Sequence, residues 1–168
     1  MLPPIRLIIF DVDGVLTDGS IIISDSGVES KRFHARDGLA IKAAMASGLK
    51  VGILTPRASR ALTLRMAEIG VDLVVQRAAN KVIGLETLCQ RAGVMPEDAA
   101  YVGDDLVDLP AMLRCAYPIA VADAVDEVKA EARYVTSVRG GHGAAREAIE
   151  HILKAQNKWD EVVERYGI

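Results

Sequence analysis

The sequence predicts a doubly wound α/β fold, a parallel Rossmann-like sheet covered by helices on both faces, with one β-hairpin projecting from it. Three observations carry this. Short apolar runs alternate with helix-length segments over most of the chain. Hydrophobic residues make up 51% of the 168 positions but aromatics only 4%. The core must therefore be Ala, Val, Leu and Ile, which suits helices packed on buried parallel strands. The alternation breaks only at residues 20–34, where SIIIS and VESKRFH flank DSG, a turn cluster with Gly27 suited to positive φ.

Each element follows from a local signal. The run IRLIIF at 5–10 reads as a buried strand. After the hairpin, residues 37–47 read as a helix closed near Gly48, and KVGIL at 50–54 as a strand. A helix over 58–69 ends at Gly70, VDLVV at 71–75 is the next strand, and a helix over 81–92 ends at Gly93. DAAYVG carries a strand to Gly103, followed by a short helix over 106–113 and the strand YPIAV. A helix over 124–131, a short strand at 133–136 and a helix over 143–156 complete the pattern. The tail 156–168 is polar and holds Trp159, the only tryptophan. The reading is one domain over 1–168, without repeat, linker or low-complexity tract.

Composition excludes several classes. A net charge of −3 and a pI near 5.6 give no concentrated basic face for nucleic acid. No apolar run approaches membrane-spanning length, and MLPPIRLIIF is too short and too soon acidic for a signal peptide. Cys89 and Cys115 fall in predicted helices, so buried free thiols and a reducing cytoplasm are expected.

Ligands of open parallel sheets bind beyond the carboxyl ends of the strands. Asp11 and Asp13 follow the first strand, Thr55 follows the second of the parallel set, and Asp104 and Asp105 follow the strand ending at Gly103. Lys81 opens a helix, and Asp108 lies one helical turn after Asp104. These groups suit phosphoryl transfer. A carboxylate can be the nucleophile and form an aspartyl-phosphate. Asp13, two residues on in an extended chain, points to the same side and could protonate the leaving oxygen, then activate water. Carboxylates from two strands suit Mg²⁺ bound together with a phosphate, and a cation is needed to lower the repulsion between carboxylate and phosphate. Thr55 and Lys81 would hold phosphoryl oxygens.

DVDGVLTDG, ILTPR, Lys81 and VGDDLVDLP resemble, in order, the four motifs of the haloacid dehalogenase superfamily. FHARDGLAIK, GDDLVDLPAM, RGGHGAARE and LKAQNKWDEVVERY resemble one branch of it more closely, the 3-deoxy-D-manno-octulosonate 8-phosphate phosphatases, over nearly the whole chain. The resemblance implies hydrolysis of that sugar phosphate to the free sugar acid and phosphate, in lipopolysaccharide precursor synthesis. It implies Asp11 as nucleophile and Asp13 as general acid and base. Mg²⁺ would be held by the Asp11 side chain, the Asp13 backbone carbonyl and Asp104. Thr55 and Lys81 would bind the transferring phosphoryl group, and Asp105 and Asp108 would support the metal shell and orient Lys81. His34, Arg36 and Arg139 lie near the site in this branch. Arg57, which can grip a sugar carboxylate bidentately, resembles the octulosonate branch, whereas relatives acting on nonulosonate 9-phosphates tend to carry Glu there. Arg65 would add a second positive charge if its helix faces the site.

Many members of the superfamily carry a cap domain. Here the space between the first two motifs holds only the hairpin and one helix, so no large cap is expected. Ile21, Ile22 and Ile23 make the hairpin a ribbon that needs a cover. In the resembled branch four hairpins assemble, which implies a homotetramer, and the tail either reaches a neighbour's site or packs Trp159 and Tyr166 on its own subunit. Pro56, Ala40 and Val107 depart from the branch's usual Gly, Gly and Asn. Proline stiffens its loop and removes an amide donor. Simpler readings stand beside these. Thr17, Asp18, Asp105 and Asp108 could be turn or helix-start residues, RGGHG a plain loop, and His34, His142 and His151 show no metal-ligand spacing. A receiver-type phosphoacceptor switch is the main competing function, but the 71–75 strand ends without the acid such a switch needs.

Overall fold

A computed structural model describes residues 2–167, so Met1 and Ile168, the ends of the predicted unit, lie outside the described residues. β1 (Leu7–Phe10) leads through a loop into β2 (Ile22–Ile23) and β3 (Glu29–Ser30), an antiparallel pair. The chain continues through α1 (Ala35–Ala46), β4 (Lys50–Leu54), α2 (Arg60–Ile69), β5 (Leu73–Val75) and α3 (Lys81–Ala92). Then come β6 (Ala99–Gly103), α4 (Leu109–Met112), β7 (Tyr117–Ala120), α5 (Asp126–Glu131), β8 (Tyr134–Val135), α6 (Ala144–Ala155) and α7 (Trp159–Glu164).

Six strands form one sheet in the order β5-β4-β1-β6-β7-β8, with every pairing parallel. The chain winds outward from β1 through β4 and β5, then returns to the other side of β1 and winds the opposite way. α1 packs on α2 and α6, while α3 packs on α4, giving a helical layer on each face. The reversal puts a crevice at the carboxyl end of β1, where open sheets bind ligands. β1 and β6 are buried along their whole length, as a doubly covered sheet requires.

The expected elements are present, with informative differences in extent. The hairpin at 20–34 is narrower than predicted: only two residues on each side pair, and Ile21, Ile22 and Ile23 are 46%, 48% and 61% exposed. α2 begins at Arg60 rather than 58 because Ser59 accepts the Leu62 amide as its N-cap. The helix expected over 106–113 shrinks to four residues because the preceding backbone folds around Asp108 instead. The tail forms α7 and packs on its own chain. Val162 is buried, and the Arg146 guanidinium lies 4.8 Å from the centre of the Trp159 ring. Both cysteines are free and buried, Cys89 within α3 as expected but Cys115 beyond the end of α4, outside any helix. His151 is a packing residue, stacked 3.8 Å from the Tyr134 ring and bonded to the Tyr117 hydroxyl at 3.0 Å.

Candidate active site

The site assembles at the crevice because β1 sits between β4 and β6, so residues 11, 55 and 104 leave three adjacent strands at one edge. Asp11 is 5% exposed, and its amide still donates to the Val102 carbonyl at 3.1 Å, which fixes the first residue beyond the strand. Gly14 then turns with φ +91°, and a Cβ there would lie 2.0 Å from Asp104 Oδ2, so only glycine lets the loop pass the second carboxylate. Thr17 is a turn residue: buried, it accepts the Gly19 amide at 3.2 Å and the Gly14 amide at 3.4 Å and so holds the loop together. Asp18 accepts the Ser20 amide at 2.9 Å and pairs with Arg32 at 2.5 Å, contacts that hold its carboxyl down at about 2. It staples the turn to the hairpin.

Asp108 organises the other side. Its Oδ1 accepts from Lys81 Nζ at 2.5 Å and the Tyr101 hydroxyl at 2.8 Å, while its Oδ2 accepts the amides of Asp104 and Asp105 at 3.0 and 3.3 Å. Gly103 permits this, since a Cβ there would lie 2.7 Å from the Asp108 carboxyl. Lys81, its side chain 4% exposed, also reaches Asp11 Oδ2 at 3.0 Å. Asp11 Oδ1 is left buried with no hydrogen-bond partner.

One oxygen from each of Asp11, Asp104 and Asp108 lies within 4.8 Å of the others. Burial first, then the Asp108 charge, pushes the Asp11 carboxyl up to about 7. Burial, then the charges of Asp108 and Asp11, pushes Asp104 up to about 8. Crowded, desolvated carboxylates of this kind fit a hard dication. Because both oxygens of Asp108 already have donors, Asp11 and Asp104 are the groups with capacity for the metal.

Thr55 is 2% exposed, with its hydroxyl 3.3 Å from the Arg57 amide. Pro56 and Val107, two of the departures from the branch pattern, line one depression with Lys81. Arg57 reaches into the site, with Nε 3.5 Å from Asp13 Oδ2 and Nη2 2.6 Å from Glu29 Oε2. Asp105 turns its carboxylate to the Leu106 amide at 2.7 Å. Arg65 pairs with Glu68 at 2.8 Å and passes over Gly38, and it lines a small cavity with Phe33, His34 and Asp37. Arg36 and Arg139 are exposed. The loop after Arg139 is packed on the site loop, with the Gly141 amide 2.9 Å from the Val15 carbonyl.

Sequence reading missed two residues. Lys31 Nζ lies 2.5 Å from Asp13 Oδ1 and 2.9 Å from Glu29 Oε1, with its side chain 3% exposed. The spacing of Glu29 and Lys31, two apart in an extended segment, is the signal that could have found them, because it sends both side chains to one side.

Comparison with known proteins gives the family. The family described as haloacid dehalogenase-like hydrolase matches residues 69–147. The chain is 43% identical over 157 residues to the 3-deoxy-D-manno-octulosonate 8-phosphate phosphatase of Escherichia coli, covering 94% of this chain and 84% of that protein. The cobalt-bound structure of the corresponding phosphatase of Haemophilus influenzae superposes with a TM-score of 0.90 at 44% identity, covering 92% of this chain and 91% of that one. The enzyme of Moraxella catarrhalis, solved with magnesium, phosphate and the sugar acid, superposes with a TM-score of 0.93 at 38% identity, covering 96% and 93%. With a relative 43% identical across 94% of the chain, the chain belongs to the 3-deoxy-D-manno-octulosonate 8-phosphate phosphatase family of haloacid dehalogenase-like hydrolases.

Proposed function

We propose that the chain is one Mg²⁺-dependent phosphomonoesterase domain that hydrolyses 3-deoxy-D-manno-octulosonate 8-phosphate in lipopolysaccharide precursor synthesis, in the cytoplasm. The observation that carries the reading is Asp11: a buried carboxylate whose Oδ2 is held by Lys81 and whose Oδ1 has no partner, beside Asp104. Magnesium, held by Asp11, Asp104 and the Asp13 carbonyl, would offset the negative charge of an incoming phosphate.

One carboxylate oxygen of Asp11 attacks phosphorus as the bond to the sugar oxygen breaks, and Asp13 gives the departing sugar oxygen its proton. The products of this step are the free sugar acid and an aspartyl-phosphate. Asp13, now a carboxylate, takes a proton from water as the water oxygen bonds to phosphorus, which releases phosphate and restores both acids. Lys81 and Thr55 hold phosphoryl oxygens, and Lys81 is itself oriented by Asp108. Arg57, at the mouth beside Asp13, is the group placed to pair with the sugar carboxylate. His34, Arg36, Arg65 and Arg139 are the outer candidates for substrate contact. Ile21, Ile22 and Ile23, exposed on a hairpin with two paired residues on each side, support assembly into a homotetramer that covers them. Among the described residues, no helix is long and apolar enough to cross a membrane.

Phosphate release should be measured on a panel of sugar phosphates with Mg²⁺ and with EDTA. Turnover is expected on the octulosonate 8-phosphate in Mg²⁺ and none in EDTA, and Asp11→Asn should release no phosphate while melting as a folded protein. Preference for a nonulosonate 9-phosphate would move the substrate, and turnover by Asp11→Asn would remove its role as nucleophile.

A further inference from the structure

The two acids of the first motif are treated alike by this fold. Asp11 has one oxygen held by a buried lysine, Lys81, and the other without a donor. Asp13 has Oδ1 held by Lys31 at 2.5 Å, and Oδ2, with Arg57 Nε at 3.5 Å, has no hydrogen-bond donor. Among the described residues Lys31 is the only hydrogen-bond donor to the Asp13 carboxylate. Its placement is costly. Lys31 lies between exposed Ser30 and Arg32, where a long side chain would ordinarily reach water, yet only 3% of it is exposed. Burying an ammonium costs several kcal/mol unless it is closely paired. Here it is paired twice, to Asp13 and to Glu29, and Glu29 also holds Arg57 Nη2 at 2.6 Å.

We propose that Lys31 and Glu29, at the stem of the hairpin, are positioning residues for the reaction: Lys31 aims Asp13 at the leaving oxygen, and Glu29 aims Arg57 at the carboxylate of the departing sugar acid. This rests on Asp13 being the proton donor and on a substrate that carries a carboxylate. The hairpin is thus part of its own subunit's catalytic site as well as a candidate surface between subunits. Lys31 takes one oxygen of Asp13, fixes the rotamer and leaves Oδ2 facing the site. Glu29 grips the far end of Arg57, so its guanidinium stays at the mouth.

The proposal predicts a dependence on leaving group that a merely structural role would not give. An alkoxide leaves poorly without a proton, whereas p-nitrophenolate leaves without one. The pre-steady-state rate of alcohol release, kcat and KM of Lys31→Met and Glu29→Gln should be measured with saturating Mg²⁺ on the octulosonate 8-phosphate and on p-nitrophenyl phosphate, with melting curves for each variant. Lys31→Met should lose about 10- to 100-fold in the first-turnover release of the sugar acid, part of the 10²–10⁴ general acid catalysis supplies, and under about 3-fold in the first-turnover release of p-nitrophenolate, both read before Asp13 activates water in the second step. Glu29→Gln should raise KM for the sugar phosphate about 5- to 20-fold through a misaligned Arg57, with little change for the aryl ester, which has no carboxylate. Equal losses on both substrates, or no loss on either, would overturn the proposal. If Lys31→Met melts early, Lys31→Gln, which keeps a donor, should show a smaller split in the same sense, and no split there also overturns it. If the wild type hydrolyses other sugar phosphates but not the octulosonate ester, the substrate reading fails alone, and Lys31 and Glu29 are judged on the ester it accepts. If the wild type releases phosphate from no ester, both fall.

Discussion

Asp108 shows how much one buried residue can organise. Fully enclosed, it takes donors from Lys81, Tyr101 and two backbone amides, so it fixes the cation of the site and the loop that carries Asp104. An asparagine of the same size could accept on only one of its two atoms. In Mg²⁺, Asp108→Asn should therefore cost roughly 3–5 kcal/mol of stability, as expected when one partner of a buried charge pair is removed. Tyr101→Phe removes a single hydroxyl donor and should cost about 1–3 kcal/mol. Urea denaturation of both variants checks the order, and Tyr101→Phe proving the more damaging would mean that Asp108 is not the organiser. At this scale the sequence was most legible where residues follow apolar strands. Asp11, Thr55 and Asp104 could be placed because parallel strands end together. Lys31 and Glu29 could not, since charges in a hairpin ordinarily belong to a solvated face and only the fold shows that this stem turns inward.

Among elements, the loop before α6 matters more than its sequence suggests. Gly140 lies against the turn that follows Asp13, and a Cβ on it would stand 1.7 Å from the Gly14 carbonyl oxygen. Its amide donates to Asp123 Oδ1 at 2.9 Å, and Glu147 in α6 accepts the amides of Ser137 and Val138 at 2.8 and 3.0 Å. The loop is thereby clamped from both sides and cannot yield cheaply. Gly140→Ala should destabilise the protein by about 1–3 kcal/mol, the usual range for forced overpacking, and should lower kcat by displacing the Asp11–Gly14 turn. Melting curves and steady-state rates test this, and a variant with ordinary stability and rate would show the contact to be slack. RGGHG reads as flexible by composition; it is held because backbone packs directly on backbone there. The strands and longer helices were legible because their apolar runs and terminal glycines are local signals. The hairpin's pairing and the length of α4 were not, because both depend on contacts with distant charged groups, Asp13 in one case and Lys81 in the other.

At the scale of the whole molecule, assembly and the coupling of metal to protons are separate tests. Light scattering should give about four times the 18.0 kDa chain mass if the exposed isoleucines meet in a tetramer, and a stable monomer would reject that assembly. The coupling of metal to protons follows from Asp11 and Asp104, whose carboxyls are pushed up to about 7 and about 8 by burial and by neighbouring acids, against 3.8 for a free aspartate. Between those values and 3.8 Asp11 and Asp104 bind more protons in the folded, metal-free protein than in the unfolded chain. Their contribution to the stability of the metal-free form therefore falls as pH rises through that window, because ionising the cluster costs more in the folded state than in water. Magnesium acts in the opposite sense: it binds the ionised carboxylates and so competes with protons. The melting temperature in Mg²⁺ minus that in EDTA should be small near pH 5 and should widen steadily toward about pH 8, since stabilisation by a ligand grows with its apparent affinity. Mg²⁺ binding by calorimetry should release protons near pH 6 and fewer near pH 9. A gap in melting temperature that does not change with pH would mean that the acids at residues 11 and 104 are ionised without the metal, and that burial does not hold protons on them; no gap at any pH would mean that the cluster is not a cation site.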